Sequence, residues 1–199
     1  QSLFLKNITE VRMSVVTRSE NIISYIKEKV IANPIFGIAS FSILMAVAAQ
    51  ITIPMKPVPT TLQSMIVVLA GAMLGSKKGF YAMISYLAMG IAGLPVFAQS
   101  PDLAPGFARL FGPTGGYLLA FPVAAWLTGF VMERKSDYLT SVLTFFGAHG
   151  LILALGALYL DLFITGGFVK TLELGIVVFS VSTVVKVFAA SVIFKSLKK

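Results

Sequence analysis

The chain has 199 residues, of which 57% are hydrophobic and 12% charged, and its mean hydropathy is +0.89. That leaves too little polar surface to coat a water-soluble globule, so composition assigns the chain to a membrane. The net charge of +8 would suggest nucleic acid on a soluble face; on a membrane chain it reports topology, and no nucleic-acid partner is expected.

Residues 1–33 are polar and mixed in charge, with Ile22, Ile23, Ile26 and Val30 at helix-like spacing. This pattern predicts an interfacial amphipathic helix ahead of a membrane domain over residues 34–199. Apolar segments then run from about Ile35 to Ile53, Thr60 to Gly75, Gly79 to Ala98, Thr114 to Met132, Leu139 to Ile164 and Thr171 to Phe194. Since a bilayer core takes roughly 20 apolar residues per helix, the expectation is an all-α, six-helix membrane bundle.

Between the first two segments lies Ile53 to Gln63, IPMKPVPTTLQ. Pro54, Pro57 and Pro59 each fix their own φ and remove a backbone donor, so no helix passes through. Thr60, Thr61 and Gln63 can face a ligand from this stretch, making it either a structured lid or a plain surface turn. In the second segment Gly71 and Gly75 are four apart, the spacing that lets helix backbones approach closely in lipid.

With the amino terminus on one side, that side holds Lys6, Arg12, Arg18, Lys27, Lys29, Lys77, Lys78, Arg134, Lys135, Lys195, Lys198 and Lys199. The other holds Lys56, Arg109 and Lys170. The positive-inside rule therefore places both termini in the cytoplasm, and the proline stretch, the Gln99–Pro113 loop and the Lys170 loop together outside.

Two ionisable residues fall in or near spans, Asp161 and Lys186. A charge at the bilayer centre costs a few kcal/mol even on insertion scales, so each needs a partner, a polar cavity or a route to the interface. They either pair with each other or contact a ligand. If one helix runs unbroken from Thr171, Lys186 lies about 22 Å along it, past the midplane; if the chain breaks near Ser180 to Ser182, it falls at the start of a fresh helix near the outer cavity. Both remain open.

The stretch Phe111 to Pro122, FGPTGGYLLAFP, opens the fourth helix, with Thr114 as the expected N-cap and Gly115 and Gly116 leaving amides accessible. It is no nucleotide loop, because GxxxxGK[ST] is missing throughout. Tyr86 and Tyr117 offer flat faces and hydroxyls suited to a small ring compound, with core packing the alternative. His149 and Trp126 are weaker signals, more in keeping with helix packing. The absence of cysteine removes disulfides and thiolate chemistry. No carboxylate pair, Ser/His/Asp set or metal cluster is evident, so neither an enzyme nor a metal site is expected.

The motifs PVPTTLQ (57–63), LAGAMLGSKKGFYAMISYLAMGIAGLPVFA (69–98) and GPTGGYLLAFPVAAWLTGF (112–130) resemble the BioY family, the biotin-binding S-components of energy-coupling factor (ECF) transporters. The resemblance implies a membrane subunit that captures biotin from outside, needs no cofactor of its own, and works with a transmembrane coupling subunit and two ATPases. It implies docking on the coupling subunit through small residues of the first helix, matched here by Ser42 and Ala46. It also matches Lys186 to a lysine of the family's sixth helix, while Thr183 stands where the family has an aspartate, a role Asp161 is expected to assume. The ligand set that follows is Asp161 and Lys186 on biotin's polar groups, Gln63, Gln99, Tyr86 and Tyr117 completing the cavity, and Arg109 facing the valerate carboxylate.

Overall fold

The computed structural model describes Thr17, Ser24, Glu28 and residues 33–98, 106–165 and 167–198. The expected interfacial helix over residues 1–33, and the candidate residue Gln99, lie outside the described residues.

Asn33 begins the first helix, α1 (Pro34–Gln50), by accepting from the amides of Ile35 and Phe36 while Pro34 takes a first-turn position. A proline there sacrifices only an amide that has no intrahelical partner. After α1 the chain turns through a small antiparallel pair, β1 (Thr52–Ile53) and β2 (Thr60–Thr61), with Thr52 opposite Thr61 and Ile53 opposite Thr60. The prolines occupy the loop of this hairpin. The proline stretch is thus a built hairpin whose second strand delivers the chain directly into α2 (Gln63–Leu74). The second apolar segment therefore starts three residues later than its hydrophobicity indicates.

A single residue, Gly75 at φ +84°, separates α2 from α3 (Ser76–Ile91). The start of α3 is capped from elsewhere in the chain: Glu133 accepts from the Ser76 amide at 2.7 Å, where a helix N-terminus favours negative charge. The third segment stops at Ile91, short of the expected Ala98, because Gly93 adopts φ +92° and Pro95 follows. A 3₁₀ turn, Gly106–Phe111, leads into α4 (Gly115–Met132). Then come α5 (Tyr138–Leu160), the short α6 (Phe168–Gly175), a 3₁₀ turn at Val177–Phe179 and α7 (Ser180–Lys198).

Helix α4 is central, packing against α2, α3 and α5, while α7 closes the bundle against α2 and α5. The close approach expected at Gly71 is present: a Cβ there would lie 2.2 Å from the Ala125 carbonyl oxygen. The outside is as apolar as the inside. Val181, Val185, Phe188 and Val192 form an exposed stripe along α7, and Ile43 and Val47 do so on α1. Buried hydroxyls satisfy themselves locally, Thr128 on the Ala124 carbonyl and Ser191 on Val187. This is the arrangement of a protein solvated by lipid. Among the described residues three stretches are long and apolar enough to cross a bilayer: α4, α5 and Phe168–Lys198, which takes in α6, the 3₁₀ turn and α7.

Of the two residues expected to dock, Ser42 is buried, its hydroxyl shared between the Ile38 and Ala82 carbonyls at 2.8 Å each, so it fastens α1 to α3. A hydroxyl in an apolar bundle needs an acceptor, and the facing helix supplies one. Ala46 is only half-buried.

Candidate functional site

The hairpin, the segment before residue 99, the Gly106–Phe111 turn, the N-terminal parts of α2, α4 and α7 and the middle of α5 converge on one cavity. Each wall places its side chains for a local reason. Strand β2 ends where Thr61 Oγ1 accepts from the Gln63 amide at 3.2 Å and donates to Gln63 Oε1 at 3.0 Å. That turn starts α2 and aims Gln63 inward. Behind it, the Gln63 side-chain amide donates to the Tyr86 hydroxyl at 2.6 Å, which donates to the Val96 carbonyl at 3.1 Å. Tyr86 is fully buried and does not line the cavity; it orients Gln63 from the second layer.

Arg109 comes from the 3₁₀ turn, which the Tyr159 hydroxyl holds by donating to the Leu110 carbonyl at 3.0 Å. Arg109 is 6% exposed and donates from Nη2 to the Ala98 carbonyl at 2.8 Å, while Nε and Nη1 have no partner. Burial lowers its pKa from the usual value, with Tyr86 opposing, yet arginine starts so high that it stays charged at neutral pH. Thr114, expected as an N-cap, makes no capping hydrogen bond. Its buried hydroxyl is unpartnered and faces the cavity.

Lys186 is also brought to the wall. The chain breaks at Val177–Phe179 and restarts at Ser180, so of the two geometries open from sequence the broken one holds, and Lys186 stands in the second turn of α7. Its ammonium reaches Ser64 Oγ at 3.5 Å. Tyr117 fixes this junction from α4, its hydroxyl donating to the Gly175 carbonyl at 2.9 Å and its ring lining the cavity beside Phe179.

Asp161 does not join them. It caps the C-terminal end of α5, exposed, and accepts from the Thr171 hydroxyl at 2.7 Å. It neither lines the cavity nor pairs with Lys186. At a helix end beside a connecting loop a carboxylate is solvated and needs no buried partner. His149, weighted low from sequence, does line the cavity, whereas Trp126 stacks on Phe130 and is largely exposed. Ser64, Phe97 and Phe179 also line it. Phe97 and Phe179 had no signal in the sequence, because an apolar lining residue in an apolar chain has no signature of its own.

The resulting site carries Arg109 and Lys186 and, among the described residues, no carboxylate. Among the described residues the buried polar side-chain atoms without partners are Thr60 Oγ1, Arg109 Nε and Nη1, Thr114 Oγ1 and His149 Nε2, and these four residues line this cavity. Folded proteins rarely leave such groups unpaired. Here they gather in one place, where a polar ligand could meet them. No group of acidic residues, histidines or cysteines capable of holding a metal ion occurs among the described residues.

The profile of the BioY family matches residues 19–199. The chain belongs to the BioY family. Among its relatives, a probable biotin transporter BioY of Pyrococcus horikoshii is 39% identical over 161 residues, covering 81% of this chain and 93% of that protein. The biotin transporter BioY of Thermotoga maritima is 36% identical, covering 80% and 92%. The BioY-family fold also matches a crystal structure of the S-component for biotin from an ECF-type ABC transporter, with a TM-score of 0.74 and 24% identity over 83% of this chain and 90% of that one.

Proposed function

We propose that this chain binds biotin in the cavity and acts as the membrane-embedded capture subunit, the S-component, of an ECF-type ABC transporter. The observation that carries this reading is the concentration of unpartnered buried polar atoms on the cavity wall. Biotin presents a ureido ring with two N–H donors and a carbonyl acceptor at one end and a carboxylate at the other. Two cations suit an anionic ligand and disfavour a cationic vitamin such as thiamine. Arg109 faces the carboxylate; Lys186, Gln63 and Tyr117 complete the wall, Gln99 stays a candidate from the sequence, and Tyr86 acts by holding Gln63.

The cavity encloses about 80 Å³, well below the roughly 300–1,000 Å³ of ordinary small-molecule pockets. Binding a ligand of biotin's size therefore requires the walls to move apart.

The chain crosses the membrane six times with both termini cytoplasmic, following its lysine and arginine distribution, and the cavity opens outward. It performs no chemistry. Release inside requires a change of orientation or cavity shape, powered by a coupling subunit and two ATPases, with Ala46 on α1 as a small residue of the docking face.

Equilibrium dialysis of the purified chain with biotin and with biotin methyl ester tests this. Charge-assisted hydrogen bonds are worth about 1.5–3 kcal/mol, so Arg109→Ala should weaken biotin binding at least about tenfold and methyl ester binding far less. Equal losses for both would remove Arg109 from the carboxylate, and no binding of biotin by the wild type would end the reading.

A further inference from the structure

The groups facing the cavity divide unevenly between donors and acceptors. Arg109 and Lys186 can only donate. Gln63 is committed at both ends, its amide nitrogen to Tyr86 at 2.6 Å and its carbonyl oxygen to the Thr61 hydroxyl at 3.0 Å. The hydroxyls of Thr60 and Thr114 serve either way.

His149 is different. It is 2% exposed, and its Nδ1 lies 2.9 Å from the Phe145 carbonyl oxygen one turn earlier on α5. A carbonyl only accepts, so the neutral ring carries its proton on Nδ1 and offers a bare lone pair at Nε2. That nitrogen is buried without a partner on a residue of the cavity wall. The ring is oriented by its own helix, so the acceptor is in place before any ligand arrives. The carboxylate expected from sequence to take this part, Asp161, is engaged by Thr171 at the end of α5.

We infer that His149 Nε2 accepts a hydrogen bond from an N–H of the ligand's polar head. The site thereby selects molecules that combine an N–H donor with a carboxylate. The inference rests on the proposed biotin site and assigns it a residue: with Arg109 set aside for the carboxylate, His149 reads the ureido ring. An acceptor at this point discriminates by leaving itself unpaired whenever the N–H is missing, a stronger filter than the fit of an apolar pocket.

Dissociation constants of the wild type, His149→Leu and His149→Gln for biotin, and for biotin methylated on both ureido nitrogens, test the assignment. The wild type should prefer biotin at least about tenfold over the methylated analogue. His149→Leu should lose at least about tenfold for biotin and most of that preference, while His149→Gln, whose amide oxygen can accept, should keep most of both. Unchanged biotin affinity and preference in His149→Leu would overturn the role of His149 and leave the biotin site standing. Equal binding of the two compounds by the wild type would overturn it whether or not the leucine variant folds. A wild type that binds neither would overturn the proposed function itself.

Discussion

Arg109 and Asp161 are both charged residues near the ends of apolar segments, and in the sequence the aspartate has the stronger claim to a ligand. The folded chain reverses the order. Arg109 sits on a turn that Tyr159 ties down and is buried with donors to spare, whereas Asp161 is exposed and hydrogen-bonded to Thr171. Asp161→Asn should therefore leave the biotin dissociation constant within about threefold of wild type. A loss of tenfold or more by calorimetry would return the carboxylate to the site. The difference was invisible in the sequence because it depends on where α5 ends and on Thr171 folding back onto that end.

At the scale of elements, the bundle is set by a few backbone approaches and caps. Gly71 meets the Ala125 carbonyl and Thr128 across the α2–α4 contact, where an added Cβ would lie 2.2 and 2.9 Å from them. Gly71→Ala should destabilise the protein by about 1–3 kcal/mol, because backbone cannot step aside as a flexible side chain can. It should also weaken biotin binding, since α2 carries Gln63 and α4 carries Tyr117. Gly150→Ala on α5, where nothing lies within 4 Å, is the control and should be neutral or slightly stabilising in thermal melts in detergent.

The N-cap of α5 gives a pH dependence. Asp137 accepts from the Thr140 hydroxyl and amide, and chiefly the hydroxyl bond holds its pKa below the ordinary carboxylate value. A lowered folded pKa means that this cap's stabilisation is fully present above the unfolded value of about 3.9 and fades as the pH falls through the folded one. Asp137→Asn keeps a good capping side chain but cannot titrate. Its melting temperature should fall less steeply than wild type between about pH 5 and pH 3. Parallel curves would show that the cap carries no proton linkage.

For the whole molecule, orientation is the property on which capture depends. The chain contains no cysteine, so single cysteines report sidedness without background. Lys135 and Lys170 are both exposed and lie at opposite ends of the α5 unit. In intact cells, Lys170→Cys should react with a membrane-impermeant maleimide, and Lys135→Cys only after permeabilisation. The reverse pattern would place the cavity on the cytoplasmic face and exclude capture from outside.

The sequence by itself determined the solvent, the order of the apolar segments, the breaks between them and the family, because hydrophobicity, proline and glycine act locally along the chain. It also singled out Gln63, Tyr117 and Lys186, since polar groups inside apolar runs stand out. Only the tertiary structure decided which polar groups share a cavity. It placed Asp161 off the cavity wall and Ser42 against α3, put Tyr86 behind the wall, and brought in His149 and Thr114. The reason is physical: whether a polar side chain is spent on its own fold or left for a ligand depends on partners supplied by distant helices, such as Ala82 for Ser42 and Gly175 for Tyr117, and no local pattern records them.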